Sequence, residues 1–147
     1  MDIRSIMTPN PACCSPETTL RDVARMMMDN DCGQIPVIDQ DRRPLGVITD
    51  RDIAVRAVAE SADPSSATAD IYMTSPATTV SAQGSLDECA ALMEQHQIRR
   101  VVVVDAQGSV AGIVAQADIA LAGGDAKTAE VVKRVSKGPA CNSLESS

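Results

Sequence analysis

The sequence predicts a mixed α/β (α+β) fold built from two tandem copies of one β-α-β-β-α unit. Three observations carry that reading: an ungapped internal repeat, a capped amphipathic helix in each copy, and paired β-branched runs separated by turn sequences. Asp118 follows Asp52 by 66 positions. The same offset lays Gly112-Ile113-Val114 on Gly46-Val47-Ile48, Met73-Thr74 on Met7-Thr8, Leu86 on Leu20, Ala90 on Ala24, Met93 on Met27 and Asp105 on Asp39. A register kept over so many positions marks duplication.

Each copy is expected to open with a short strand, near residues 12–14 and 78–80. A helix then begins at Thr19-Leu20-Arg21-Asp22 and at Ser85-Leu86-Asp87-Glu88, where hydroxyl and acid three residues apart fit a capping box. Leu20, Val23, Ala24 and Met27, and likewise Leu86, Cys89, Ala90 and Met93, recur at helical spacing and place one apolar stripe against a core. Two strands follow in each copy, Ile35 to Ile38 with Gly46 to Thr49, and Val101 to Val104 with Gly112 to Ala115, joined through turn residues at 39–43 and 105–108. Each second strand runs into another helix, containing Ile53, Val55 and Val58 or Ile119 and Leu121. On this reading the first repeat spans 6–60, a Pro- and Ser-containing linker 61–71, the second repeat 72–122 and a tail 123–147, with a short helix at 125–135 and disorder after Lys137.

At 147 residues and 44% apolar content, the chain can bury one compact core or two half-domains sharing one, but not two independent domains. One Tyr, with neither Phe nor Trp, removes the aromatic platforms on which single-stranded bases stack, and a net charge of −7 opposes binding to a polyanion. Nucleic acid is therefore not an expected partner. Met1-Asp2-Ile3-Arg4 opens into polar sequence and no window approaches a membrane span, so no membrane partner and a cytoplasmic location are expected. The five Cys show no C-x-x-C spacing and His96 is the single His, so the cysteines are expected reduced and no metal site is expected.

These residues resemble a CBS domain pair, named for repeats in cystathionine β-synthase and found also in IMP dehydrogenase and the AMP-activated kinase. The resemblance covers about residues 1 to 122. It rests on Ile6-Met7-Thr8 and Tyr72-Met73-Thr74 before each copy, on Gln34-Ile35-Pro36-Val37-Ile38-Asp39, and on Gly46-Val47-Ile48-Thr49-Asp50-Arg51-Asp52. Within the family the chain is similar to short stand-alone bacterial pairs of the hypoxic-response type, which carry no catalytic domain. The resemblance implies a pseudo-two-fold module with an adenosine-containing ligand in the cleft between repeats, bound through the pattern Gly-apolar-x-Thr/Ser-x-x-Asp.

The chemistry of that pattern is visible in the residues. A strand ending at Thr49 and a helix starting after it leave free N–H groups and a positive dipole end that suit a phosphate. Thr49 can donate to phosphate, and Asp52 offers acceptors to the ribose hydroxyls. The same Thr-x-x-Asp is also a plain helix cap. In the second copy Ala115 replaces the hydroxyl while Asp118 is kept, so a ligand there lacks one charge-assisted hydrogen bond.

Arg99 and Arg100 precede the Val101 strand, where kinase-type pairs carry phosphate-binding basic residues; Gly33 and Gln34 occupy those positions in the first copy. If ligands bridge the repeats as the resemblance implies, Thr49, Asp52, Arg99 and Arg100 serve one site with the base against Thr79 and Val80. The other site holds Asp118 with Arg51 as its main cation, beside the backbone near Cys13 and Cys14.

The function expected is a regulatory, signal-transducing module for AMP, ADP, ATP, or possibly NAD or S-adenosylmethionine, with no required cofactor. It would work as a homodimer with an effector protein that the sequence does not identify. The alternative is a ligand-free dimerisation or protein-interaction module, which Ala115 keeps open. An enzyme is not expected, because no nucleophile motif surrounds His96 and no Walker-type loop occurs.

Overall fold

The computed structural model describes residues 2–122, which form two compact units: residues 11–77, and residues 2–10 with 78–122. In chain order the elements are α1 (Ile3–Ile6), β1 (Thr8–Pro9), α2 (Leu20–Asn30), β2 (Gln34–Ile38), β3 (Pro44–Thr49), the π-wound helix π1 (Asp52–Ala57), α3 (Ala69–Tyr72), β4 (Thr79–Ser81), α4 (Leu86–His96), β5 (Arg100–Val104), β6 (Val110–Ala115) and α5 (Gln116–Ala122). This is the mixed α/β (α+β) class that the periodicities predict.

Both units use one strand plan. In unit 2–10/78–122 the order is β4-β5-β6-β1, with β4 parallel to β5 and the other pairs antiparallel. In unit 11–77, β2 and β3 form the central antiparallel pair, Cys14 bridges Val37 in parallel and Thr74 bridges Val47 on the far side. The leading strand thus forms fully only in the second copy, and Pro36 explains why. Val102 donates its N–H to the Thr78 carbonyl at 3.2 Å, but Pro36 at the matching position has no N–H to give. What survives is the pair of 2.9 Å bonds from Cys14 N to the Pro36 carbonyl and from Ile38 N to the Cys14 carbonyl.

The unit boundary does not follow the repeats. Ile3, ahead of the first repeat's own strands, is fully buried with Met93, Val101 and Val114 of the second, while Ala69 and Tyr72 are buried with Leu20, Val23, Ile35 and Ile48 of the first. Residues 67–71 of the expected linker accordingly carry structure: the Ala67 carbonyl accepts from Leu20 N at 2.9 Å, Ala69 N donates to the Thr18 carbonyl at 2.8 Å, and α3 starts there.

Two local expectations need correcting. Ala24 is exposed rather than on the buried stripe, whereas its counterpart Ala90 is buried. The reciprocal capping box forms at Ser85 and Glu88, but at α2 only the Thr19 hydroxyl accepts, from Asp22 N at 3.2 Å. The hairpin turns match in both copies: Asp39 Oδ1 accepts from Asp41 N and Arg43 N, and Asp105 Oδ1 from Gln107 N and Ser109 N.

Cys13, Cys14, Cys32 and Cys89 are free thiols. Burial pushes the Cys14 thiol up to about 12, helped by the charge of Cys13, and the Cys89 thiol up to about 11, helped by Asp118. Such thiols are poor nucleophiles near neutral pH. The tail, the helix expected at 125–135 and Cys141 lie outside the described residues.

Candidate functional site

In unit 11–77, β3 ends at Thr49 and the chain turns directly into a helix, with Asp50 N donating to the Gly33 carbonyl at 3.0 Å. Thr49 N donates to Asp52 Oδ2 at 3.0 Å and Asp52 N donates to Thr49 Oγ1 at 3.0 Å. The capping reading of Thr49-x-x-Asp52 is therefore realised in the structure. It leaves chemistry to spare. Asp52 is 9% exposed, and among the described residues its carboxylate meets only long partners besides the bond from Thr49. Thr74 Oγ1 lies 3.4 Å from Oδ1 and 3.5 Å from Oδ2, and Arg56 Nη1 lies 3.8 Å from Oδ1. A carboxylate has about four acceptor positions, so Oδ1 keeps capacity for a ribose hydroxyl. Arg51, on the first helical turn, is exposed.

The matching end of the other unit is built the same way with fewer groups. Ala115 N donates to Asp118 Oδ2 at 2.8 Å, and Gln116 N donates to the Arg99 carbonyl at 2.8 Å. With Ala at 115 there is no hydroxyl to answer the Asp118 amide. Gln116 Nε2 is buried without a hydrogen-bond partner among the described residues. Arg100 stands opposite Ala115 in the β5–β6 register. Thr79 is exposed on β4, whereas the Val80 side chain, 4% exposed, packs in the core.

The structure thus brings Thr49, Arg51 and Asp52 together in one unit, and Thr79, Val80, Arg99, Arg100 and Asp118 in the other. Sequence reasoning missed Thr74 and Arg56. Thr74 was visible only as part of the Met-Thr marker. Arg56 has no trace in the repeat, because Ala122 occupies its position in the second copy. Cys13 and Cys14 line a surface hollow of about 660 Å³ with Ile38 and Asp39, at the other end of β2 from Gln34.

The CBS domain pattern matches residues 3–58 and 68–125, most of the chain and once per repeat. The chain belongs to the CBS domain family. Hypoxic response protein 1 of Mycobacterium tuberculosis is 38% identical over 117 residues, covering 80% of this chain and 81% of that protein. A crystal structure of Hypoxic Response Protein I with two coordinated zinc ions is similar at a TM-score of 0.76 and 36% identity, over 82% of this chain and 98% of that one. Among the described residues here, no three or more His, Cys, Asp or Glu side chains gather as metal ligands do.

A CBS domain protein from Pyrobaculum aerophilum complexed with AMP is similar at a TM-score of 0.76 and 29% identity, over 90% and 99% of the two chains. The CBS domain pair of protein MJ0100, in complex with 5′-methylthioadenosine and S-adenosyl-L-methionine, gives 0.75 and 26% over 84% and 96%. No helix among the described residues is long and apolar enough to cross a membrane.

Proposed function

We propose that this CBS-family chain is a non-catalytic, cytoplasmic regulatory module that binds an adenosine-containing ligand through Thr49 and Asp52. The observation that carries the reading is the Asp52 carboxylate, nearly buried at a strand-to-helix turn, with one short bond and an oxygen held only by long contacts. Similar family structures complexed with AMP or S-adenosyl-L-methionine support it. On the family resemblance we assign the phosphate to Arg99 and Arg100 and the base to the chain at Thr79 and Val80, and Arg51 and Asp118 to a weaker second site, because Ala115 supplies no hydroxyl. No cofactor is required.

Calorimetry with AMP, ADP, ATP, NAD and S-adenosylmethionine tests this. Asp52→Ala leaves ribose donors unpaired, at about 1–3 kcal/mol, so affinity is expected to fall roughly ten- to a hundredfold. Asp118→Ala should do much less, and a joint change of Arg99 and Arg100 to Ala should weaken AMP more than adenosine. Equal losses at Asp52 and Asp118 would refute the asymmetry.

A second reading, a dimerisation or protein-interaction module, is favoured by Val55, Val58 and Ile71, which are 50%, 67% and 62% exposed in unit 11–77. Apolar side chains of that size suit cover by a second copy or by an effector protein. Wild type that gives no heat with any adenosine ligand but a dimer mass in light scattering would select it.

A further inference from the structure

The geometry points to Arg56 as a positioning residue for the Asp52 carboxylate, one that makes the first half-site a better ribose acceptor than the second. The inference rests on the reading of Asp52 as a ribose-binding residue. Arg56 lies about one helical turn after Asp52, on the same face, and its Nη1 sits 3.8 Å from Asp52 Oδ1. On its own, a half-exposed ion pair at that distance would fluctuate and do little.

What fixes it is the second anchor. The same Nη1 donates to the Tyr72 carbonyl at 3.0 Å and reaches the Met73 carbonyl at 3.4 Å, at the C-terminal end of α3, where backbone carbonyls lack helical partners and welcome a cation. Tyr72 is itself held, buried, with its hydroxyl donating to Glu60 Oε1 at 3.1 Å. Thr74, two residues on, is pinned by mutual bonds with Val47, at 3.0 and 2.8 Å, and turns its hydroxyl to Asp52.

Arg56 therefore staples the Tyr72–Met73 carbonyls to the π1 helix and keeps positive charge beside Oδ1. With Oδ2 committed to Thr49 N, the carboxylate is held from two sides, so little rotamer freedom is left to lose when hydroxyls bind it. The second copy has Thr8 at the Thr74 position but Ala122 at that of Arg56, and no such staple.

Because Arg56 acts through Asp52, its effect must depend on the ribose hydroxyls. In calorimetry, Arg56→Ala is expected to weaken adenosine binding by about three- to tenfold, to leave 2′,3′-dideoxyadenosine affected by less than a factor of about two, and to add nothing in an Asp52→Ala background. Arg56→Lys should recover part of the loss. An equal loss for both nucleosides, or a loss that persists with Asp52→Ala, means general damage to the fold and overturns the proposal, as does no loss at all. Wild type that binds neither nucleoside overturns the ribose reading together with it, whereas wild type whose binding responds to Asp52→Ala and not to Arg56→Ala overturns the positioning role alone.

Discussion

Gly46 and Gly112 occupy the same repeat position, and the sequence gives no hint of what each must leave empty. A Cβ on Gly46 would lie 2.7 Å from the Thr74 carbonyl oxygen and 2.9 Å from Met73 Sδ; on Gly112 it would lie 2.8 Å from the Thr8 carbonyl oxygen and 2.6 Å from Met7 Sδ. The sulfurs could swing aside, but the carbonyls belong to the backbone bridged to β3 or paired with β6. The Met-Thr markers before each repeat are thus the segments that these glycines admit. Gly46→Ala and Gly112→Ala are each expected to destabilise the chain by about 1–3 kcal/mol, the usual cost of forcing volume into a packed contact. Urea unfolding followed by circular dichroism measures it. Gly46→Ala should also loosen Thr74 beside Asp52, so its cost to adenosine affinity should exceed that of Gly112→Ala.

At the scale of elements, the features written in local sequence were legible. The hairpins showed in β-branched runs between Asp-led turns, α2 and α4 in their hydroxyl caps, and the Thr49–Asp52 turn in its spacing. What escaped depends on partners distant in the chain: residues 69–71 of α3 read as linker until Ala69 is seen buried with Leu20 and Ile35, and nothing in the local sequence points to Arg56, whose role comes from the Tyr72 carbonyl. Ala24 shows the limit of periodicity, since a small residue at a stripe position is buried only if something covers it. Pro36 is a case where local chemistry decides an element. Replacing it with Val would supply the N–H that Val102 uses in the second copy, a gain of about 0.5–1.5 kcal/mol, but would free the unfolded chain by about 0.4–1 kcal/mol. Net stability should hardly move, so hydrogen exchange is the better measurement: the new amide at position 36 is expected to be protected by the Ala12 carbonyl, and a fast-exchanging amide there would contradict this account of the missing strand.

For the whole molecule, the consequence of the repeat is that sequence neighbours and folding partners are different sets. Residues 2–10 complete the unit made mainly of the second repeat, and residues 61–77 complete the unit made mainly of the first. Ile3 is fully buried against the second repeat's residues, and burying one Ile is worth about 1.5–3 kcal/mol. β1 adds register partners Thr8 to Ile113 and Pro9 to Gly112, and Asn10 N donates to the Ala111 carbonyl at 3.2 Å. Deleting residues 2–9 should therefore be felt in β6, about a hundred positions along the chain, before it is felt in the β2–β3 hairpin that lies nearer in sequence. Hydrogen exchange with mass spectrometry on the truncated chain is expected to show protection at Val110–Ala115 reduced by at least about tenfold, since 1.4 kcal/mol is a factor of ten in an opening equilibrium. Protection in the β2–β3 hairpin, whose outer edge is closed by Thr74 rather than by the deleted segment, should fall by less. If the hairpin lost protection as much as β6, or β6 lost none, the deleted segment would not be the structural complement of the second repeat that its burial indicates.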